Sequence, residues 1–239
     1  MNRRTKLSLI AGISFSSVLI LQSFTFKDAK TFFDGVRRAP RQVGALFECS
    51  SYVGHELTKY LEVYMKTNPD KPLKILEVGA GTGSVTDIIV QKLRSINRGD
   101  NVEDEFDAVE IDSGFCSILQ KKFGKNPQVA IHCTPIENWH PMYEYDFIIC
   151  TLPFNSLEKA VMHTIVDHLQ KLIKHNGIFS YVAYVGTTHL KISFLRGQSR
   201  IDHLEKVNKL DALRNQYQID SAVVMKNIPP IHIYHLRLP

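Results

Sequence analysis

The stretch from Ile75 to Ser84 constrains the fold of this 239-residue chain more than any other. Its sequence, ILEVGAGTGS, begins as an apolar run, passes through three glycines and continues into residues with helical spacing. The run from Lys74 to Val78 predicts a buried strand, and the pattern after Ser84 predicts a helix. The glycines therefore fall in a strand-to-helix turn, where a backbone without side chains can lie against a ligand and the helix start offers free N–H groups.

A carboxylate beside this turn distinguishes a site for a pyrophosphate from a site for a cationic ligand. The spacing of Gly79, Gly81 and Gly83 differs from the Gly-x-Gly-x-x-Gly of dinucleotide-binding turns, and Glu77 places a negative charge at the end of the strand. A pyrophosphate would be repelled there, whereas a cationic ligand would be attracted. The alternative is an ordinary tight turn in a domain that binds nothing.

The turn resembles the first motif of class I S-adenosylmethionine-dependent methyltransferases, in which the acidic residue and the glycines surround the amino-acid end of the cofactor. The resemblance implies a Rossmann-like α/β fold, with helices on both faces of a seven-stranded, mainly parallel sheet that has one antiparallel strand at its edge. It assigns five residues to the cofactor site: Glu77, Gly79, Ala80, Gly81 and Gly83.

A second apolar strand that ends in carboxylates follows at residues 107–112, DAVEID. In open α/β sheets a carboxylate after the second strand can accept hydrogen bonds from both ribose hydroxyls. By position, Glu110 resembles the ribose ligand of the family, with Ile111 beside it and Asp112 as a secondary candidate. Solvation of both acids at a strand end is the alternative.

The third predicted strand, Gln128 to Cys133, ends at Thr134 and Pro135, which the resemblance places in the cofactor site. Many members of the family have an acidic residue just beyond this strand, where it accepts a hydrogen bond from the adenine amino group. A threonine here weakens that contact or moves it to the backbone. Trp139 could stack on the adenine or pack in the core, and packing is favoured.

A loop with the sequence TLPFN, residues 151–155, follows the predicted fourth strand. It resembles the Asn-Leu-Pro-Tyr motif of ribosomal RNA adenine dimethylases, but Thr151 stands where their asparagine would. An amide can accept from and donate to an adenine, and a hydroxyl cannot reproduce that geometry. This departure counts against adenine N6 as the target.

Bacterial phospholipid N-methyltransferases are the closer resemblance, because they carry a similar Leu-Pro loop without the asparagine. The segments RQVGAL at 41–46, ahead of a paired serine, and NIPP at 227–230 resemble theirs as well. The resemblance runs from about Asp28 to the end of the chain. It implies that Leu152, Pro153 and Phe154 shape the acceptor site and that Thr151 belongs to the cofactor site, and it identifies neither a general base nor a metal site.

The N-terminal residues predict association with a membrane. Leu7 to Phe26 is uncharged over twenty residues, which suits an anchor helix, a cleaved signal or a targeting segment; no small-x-small cleavage site follows, so the anchor is favoured. Flanking basic residues favour a catalytic domain that faces the cytoplasm, where the cofactor is made. Residues 28–38 combine basic residues with phenylalanines, which suits an anionic membrane surface or a solvated linker helix. The predicted membrane contact thus spans residues 7–41.

Charge and cysteine spacing bear on which partners, disulfides and metal sites the protein can have. The net charge of +5 comes from the first 41 residues, and the rest of the chain is nearly neutral, so a nucleic-acid partner is not expected. The four cysteines show no Cys-x-x-Cys pair and predict buried thiols in a reducing compartment rather than disulfides or a zinc site. A basic stretch between Gly186 and Gln216 predicts a solvated helix or a contact with phosphate headgroups.

The sequence therefore predicts three parts: an anchor or signal segment at 1–27, amphipathic helices at 28–68, and an S-adenosylmethionine-binding domain at 69–239. The expected function is transfer of a methyl group to the amine of a phospholipid headgroup such as phosphatidylethanolamine. A ribosomal RNA adenine N6-methyltransferase and a non-catalytic protein that binds a membrane or a partner are the alternatives.

Overall fold

One seven-stranded sheet organises the protein, with the strand order 3-2-1-4-5-7-6. The structure is a computed structural model that describes residues 49–96, 102–185, 195–227 and 230–239. All of these residues belong to one compact unit, Gly44–Pro239. The predictions for residues 1–27, for the amphipathic stretch 28–41 and for the RQVGAL segment lie outside the described residues. Within the described ranges, no helix has the length and apolar character needed to span a membrane.

Helices alternate with the parallel strands along the chain, as in other α/β sheets. The strands are β1 (Lys74–Val78), β2 (Glu105–Glu110), β3 (Val129–Cys133), β4 (Tyr145–Cys150), β5 (Ile173–Tyr184), β6 (Gln218–Val224) and β7 (Ile231–Arg237). The helices are α1 (Ser51–Leu57), α2 (Lys59–Thr67), α3 (Ser84–Ser95), α4 (Ser113–Phe123), α5 (Lys159–Leu172) and α6 (Gly197–Tyr217), with 3-10 turns at Ile136–Asn138 and Phe154–Ser156.

The predicted fold class is confirmed, with one correction to the sheet. β1 to β5 pair in parallel, and β7 pairs antiparallel with both β5 and β6. The antiparallel strand β7 is therefore inside the sheet, and the two edge strands are β3 and β6. The reason is that β6 and β7 form a hairpin: after β6 the chain turns back, and the last strand, β7, takes the place beside β5.

The boundary between α5 and β5 also differs from the prediction. The apolar spacing from Leu157 to Lys174 predicts a helix that Gly177 closes, but α5 ends at Leu172 and β5 begins at Ile173. Ile173 pairs with Tyr145, and the pairing register then shifts before the strand continues at Ile178. Gly177 lies in this irregularity, so it accommodates a bulge in a strand and not a helix end.

The two faces of the sheet carry separate apolar cores. On one face, α1 and α2 pack with α3 through Val53, Leu57, Leu61 and Met65, each at most 1% exposed. On the other face, α5 and α6 cover β4, β5 and β7. The described part of the predicted amphipathic helices at 28–68 thus belongs to the main core. It is divided in two at Thr58, whose hydroxyl donates to a backbone carbonyl of α1.

Two of the predicted thiols are instead joined in a disulfide. Cys116, in the first turn of α4, and Cys133, at the end of β3, have Cα atoms 5.9 Å apart. The prediction of unpaired buried thiols was wrong for this pair, because the β2–α4–β3 connection returns the helix start to the end of β3. Cys150 is a buried thiol, and burial raises its pKa to about 12.

A buried carboxylate joins β2 to β3 and β4. Asp107 in β2 is 3% exposed and accepts hydrogen bonds from the hydroxyls of Tyr143, at 2.7 Å, and Tyr145, at 2.8 Å. His132 Nε2 lies 2.6 Å from its other oxygen. Burial alone would raise the pKa of Asp107, but these three hydrogen bonds lower it overall. The network stabilises the charged form of Asp107 at neutral pH.

We expect Asp107→Asn to lower the free energy of unfolding by about 1–3 kcal/mol at neutral pH, because an amide cannot accept all three hydrogen bonds. Since folding lowers the pKa of Asp107 below its usual 3.8, its stabilising contribution is present above that pH and is lost as the pH falls through the lower value. Urea unfolding at several pH values measures both effects. The exposed Asp167→Asn is the control and should change stability by less than about 0.5 kcal/mol. An equal loss in both variants would contradict the assignment.

Candidate active site

The glycine turn after β1 lies where the strand order reverses, between the ends of β2 and β4. The N–H of Gly79 donates to the carbonyl of Val109 in β2 at 2.9 Å, and the N–H of Thr151 after β4 donates to the carbonyl of Val78 at 3.0 Å. These backbone bonds hold both neighbouring strand ends against the turn. In open α/β sheets this crevice is the ligand-binding position.

The loop after β4, residues 151–155, packs directly on the glycine turn. We call it the acceptor loop, after the role that the resemblance gives it. Gly79 has φ +79°, and a Cβ at this position would lie 2.9 Å from Leu152 Cδ2 and 3.1 Å from Thr151 Oγ1. Only glycine therefore fits here without displacing the loop. At Gly81, with φ +58°, a Cβ would meet only the carbonyl of Gly79, at 3.9 Å, so the turn opens into free space on that side.

Glu77 lies at the bottom of the crevice and is completely buried. Its Oε2 accepts a 2.6 Å hydrogen bond from the hydroxyl of Thr86 in α3, and its Oε1 has no hydrogen-bond partner among the described residues. Burial, reinforced by the charge of Glu110, raises the pKa of Glu77 to about 8 despite the bonds from Thr86. A carboxylate with one unsatisfied oxygen in such a place is suited to a cationic ligand.

Glu110, the predicted ribose ligand, sits at the end of β2 and also contacts the turn. Its Oε2 accepts from the N–H of Gly81 at 2.8 Å, and its Oε1 accepts from the N–H of Asp112 at 2.8 Å. Each carboxylate oxygen has a second lone pair, so the group can still accept hydrogen bonds from a diol. Glu110 is thus fixed in place by the backbone that forms the rest of the site.

The other predicted cofactor residues lie at the same edge of the sheet, but Asp112 has a structural role. Its side chain accepts from the N–H groups of Gly114 and Phe115, at 2.8 and 3.0 Å, and so caps α4. Ile111 is 67% exposed next to Glu110.

Thr134 and Pro135, which the resemblance assigns to the cofactor site, lie just beyond β3. They follow Cys133, which is paired in register with Glu110. Trp139 stacks on His132, with ring centroids 3.7 Å apart, and donates to the hydroxyl of Tyr145 at 2.8 Å. It therefore packs in the protein, as the sequence favoured.

Two tyrosines of β5 have different surroundings at the acceptor side. Tyr181 is completely buried, and its ring lies 5.7 Å from that of Phe154. Tyr184 lines a small cavity together with Pro153 and Asn155. Of the two, Tyr184 is the less buried.

Sequence reasoning missed Thr86, which orients Glu77. A threonine in the first turn of a helix follows no recognisable motif. The signal that could have identified it is its position: it lies one turn beyond the glycines, where the start of α3 points back toward the end of β1.

The residues present fit S-adenosylmethionine. Its sulfonium and ammonium groups are cationic, and its ribose carries a diol. The crevice offers a buried, incompletely bonded carboxylate at Glu77, a second carboxylate at Glu110, and open space above Gly81. The fold and this site define a class I S-adenosylmethionine-dependent methyltransferase.

Residues 57–190 match the family of ribosomal RNA adenine dimethylases, so the chain belongs to that family. Among curated proteins, a non-reducing polyketide synthase of Penicillium brasilianum is 26% identical over 133 residues, which make up 52% of this chain and 5% of that protein. The chain thus spans a small fraction of the length of the curated relatives that it matches.

Solved methyltransferase structures share the fold. The N-methyltransferase NodS of Bradyrhizobium japonicum WM9, in complex with S-adenosylhomocysteine, aligns with a TM-score of 0.52 at 11% identity, over 79% of this chain and 88% of that one. A putative RNA methyltransferase of Pyrococcus horikoshii aligns with a TM-score of 0.55 at 11% identity, over 81% and 87%. At this identity the likeness concerns the fold alone. Together with the family match, it identifies the chain as a methyltransferase with S-adenosylmethionine as cofactor.

The pKa of Glu77 predicts that cofactor binding depends on pH. Because a bound cation favours the carboxylate, binding releases the proton that Glu77 holds below pH 8, so affinity should rise with pH toward about 8 and then level off. The slope is at most about tenfold per pH unit for one proton. Glu77→Gln should weaken binding and remove this component. Calorimetry in two buffers of different ionisation enthalpy measures the released protons, and equal release from wild type and variant would contradict the assignment.

A pair of glycine variants separates backbone strain from cofactor contact. Gly81 and Gly197 have φ values of +58° and +55°, and neither has a side chain near its Cβ direction. Each alanine variant should therefore lose roughly 1–2 kcal/mol of stability through the left-handed backbone. Only Gly81→Ala should also weaken S-adenosylhomocysteine binding, by about tenfold or more, because its methyl group enters the open space of the turn. Titration calorimetry measures the affinities, and equal affinities would exclude this part of the turn from the site.

Proposed function

We propose that this methyltransferase acts on the amine of a phospholipid headgroup, such as phosphatidylethanolamine, at the cytoplasmic surface of a membrane. S-adenosylmethionine supplies a methyl group on a positively charged sulfur that is a good leaving group. A C–N bond forms to the headgroup nitrogen as the S–C bond breaks, the sulfur keeps the electron pair, and the nitrogen loses a proton to solvent. The protein must hold the neutral amine about 3 Å from the methyl group and in line with the breaking bond.

The observation that carries this proposal is the position of the Thr151 hydroxyl. It donates to the carbonyl of Gly79 at 2.6 Å and also lies 3.3 Å from the carbonyl of Val78. The hydroxyl hydrogen is thus directed at the glycine turn and not at an acceptor. A side-chain amide, which could bind the edge of an adenine, is replaced here by a group that joins the acceptor loop to the cofactor turn.

The lining of the acceptor cavity supports a neutral amine with apolar surroundings. None of the described residues that line it is acidic, and most are apolar or aromatic: Pro153, Phe154, Asn155, Val182, Ala183, Tyr184 and Leu210. The cavity measures about 10 Å³, room for about one water, so the amine would lie at its mouth. Apolar surroundings there would disfavour the ammonium ion and favour the reactive neutral form. Burial also raises the pKa of Tyr184 to about 12, so its hydroxyl remains protonated at neutral pH.

The distribution of charge is also consistent with a lipid and not with a nucleic acid. Three basic residues of α6 are engaged within the protein: Lys206 donates to loop carbonyls, Lys209 pairs with Asp167, and Arg214 pairs with Asp211. They form no free basic face of the kind that binds a phosphate backbone. The predicted contact of residues 7–41 with an anionic membrane also favours a lipid substrate.

A second candidate is methylation of adenine N6 in ribosomal RNA. The family match over residues 57–190 favours it, and so does Asn155, an amide that lines the acceptor cavity. Asn155 stands four residues after Thr151, so this candidate requires a different geometry of adenine binding from the one that the dimethylase motif implies.

Incubation with methyl-labelled S-adenosylmethionine distinguishes the two candidates. We expect label in vesicles of phosphatidylethanolamine and phosphatidylglycerol, because the first lipid carries a free amine and the second supplies an anionic surface. Vesicles in which phosphatidylcholine replaces phosphatidylethanolamine are the matched control, since their headgroup nitrogen is fully methylated. Lipid extraction and scintillation counting measure the transfer.

Deproteinised ribosomal RNA is the competing substrate in the same assay. Label that enters RNA and not phosphatidylethanolamine would refute the proposed function and establish the second candidate. Thr151→Asn should not create activity on RNA if the threonine serves to join the loop to the turn.

A further inference from the structure

Helix α6 contacts the acceptor side through a narrow stripe of buried and half-buried residues. Lys206, Leu210 and Arg214 are spaced four apart and therefore lie on one side of the helix. Lys206 is 8% exposed and Leu210 is 3% exposed, although the helix is otherwise rich in polar and charged residues. The sequence predicts that this basic stretch is solvated or contacts headgroups. In the structure, Lys206 and Arg214 instead point toward the protein interior.

The ammonium of Lys206 binds the backbone of the acceptor loop. Its Nζ donates to the carbonyl of Leu157 at 2.7 Å and to the carbonyl of Asn155 at 3.3 Å. Burial lowers the pKa of Lys206, and the charge of Asp202 offsets this only in part. A buried cation that has backbone carbonyls as partners is costly to keep, so the contact holds the loop at a definite position.

The next two turns of the stripe also support the loop, Leu210 directly and Arg214 through Tyr181. Leu210 lines the acceptor cavity beside Pro153 and Asn155. Arg214 donates to the hydroxyl of Tyr181 at 3.0 Å, and the ring of Tyr181 packs edge-on against Phe154. One face of α6 therefore contacts the loop carbonyls through Lys206, the cavity wall through Leu210, and the ring of Phe154 by way of Arg214 and Tyr181.

This helix lies outside the part of the chain that matches the dimethylase family, because the match ends at residue 190 and α6 begins at Gly197. The residues that hold the cofactor, by contrast, all lie within the match. The acceptor side of the site is thus completed by an element that the family match does not cover.

We propose that Lys206 is a positioning residue that holds the loop from Leu152 to Leu157 in the conformation that receives the acceptor, without a part in cofactor binding. The inference rests on the proposed function only because the acceptor amine is assigned to this loop. The contacts of Lys206 with the loop do not depend on which acceptor is used.

Hydrogen exchange of the full-length protein tests the inference without any acceptor. Lys206→Met removes both hydrogen bonds while keeping an unbranched apolar side chain. We expect amides of residues 152–158 to exchange about tenfold faster, while the dissociation constant of S-adenosylhomocysteine stays within about twofold. Lys209→Met, on the same helix, is the control, and its loop exchange should match the wild type.

Kinetics on phosphatidylethanolamine vesicles gives a second, independent readout. Lys206→Met should lower kcat by about ten- to a hundredfold, since a displaced loop misaligns the amine, with little change in KM for S-adenosylmethionine. Lys206→Gln, which keeps two N–H donors on a shorter side chain, should be intermediate in both assays. It serves as the test variant if Lys206→Met does not fold.

Unchanged loop exchange in the folded variants, or a loss of cofactor affinity as large as the loss of kcat, would overturn the inference. Faster loop exchange with no wild-type activity on lipid would support the role of Lys206 and contradict the proposed lipid substrate alone.

Discussion

The buried carboxylate of Glu77 is the constraint on which the rest of the site depends. A charge in this position is unfavourable unless a partner satisfies it, and among the described residues only one of its oxygens is hydrogen-bonded, by Thr86. The surrounding elements must therefore be held rigidly enough to keep water out and open enough to admit a cation. The backbone bonds from Gly79 to Val109 and from Thr151 to Val78 provide that rigidity.

The two sides of the reaction are built from different parts of the chain. The cofactor crevice is formed by β1, β2 and the start of α3, whose side chains belong mainly to the core shared with α1 and α2. The candidate acceptor side is formed by the loop after β4, the end of β5 and α6; the apolar side chains of the loop and of α6 belong to the core on the other face of the sheet. Thr151 connects them, because its hydroxyl joins the loop of one side to the turn of the other. This division lets the acceptor side change while the cofactor side stays the same.

The sequence predicted the features that depend on local pattern. β1 has the predicted bounds, and Glu77, Glu110 and the Leu-Pro loop come together at one sheet edge, because parallel strands end at the same edge. Features that depend on long-range packing were missed. Lys206 is buried in a helix whose composition indicates a solvated surface, and Cys116 meets Cys133 only because the chain returns after α4. Asp112 was considered as a ligand but caps a helix, since the same residue type suits both positions.

The position of β7 has a consequence for synthesis of the protein. This final strand, Ile231–Arg237, inserts between β5 and β6, and Leu238 continues the contact by donating to the carbonyl of Gly177 at 3.1 Å. Until residues 231–237 have left the ribosomal tunnel, β5 has no partner on that side and β6 has no sheet to join. The nascent chain therefore exposes an open strand edge until β7 has emerged, and the sheet can be completed on that side only after that point.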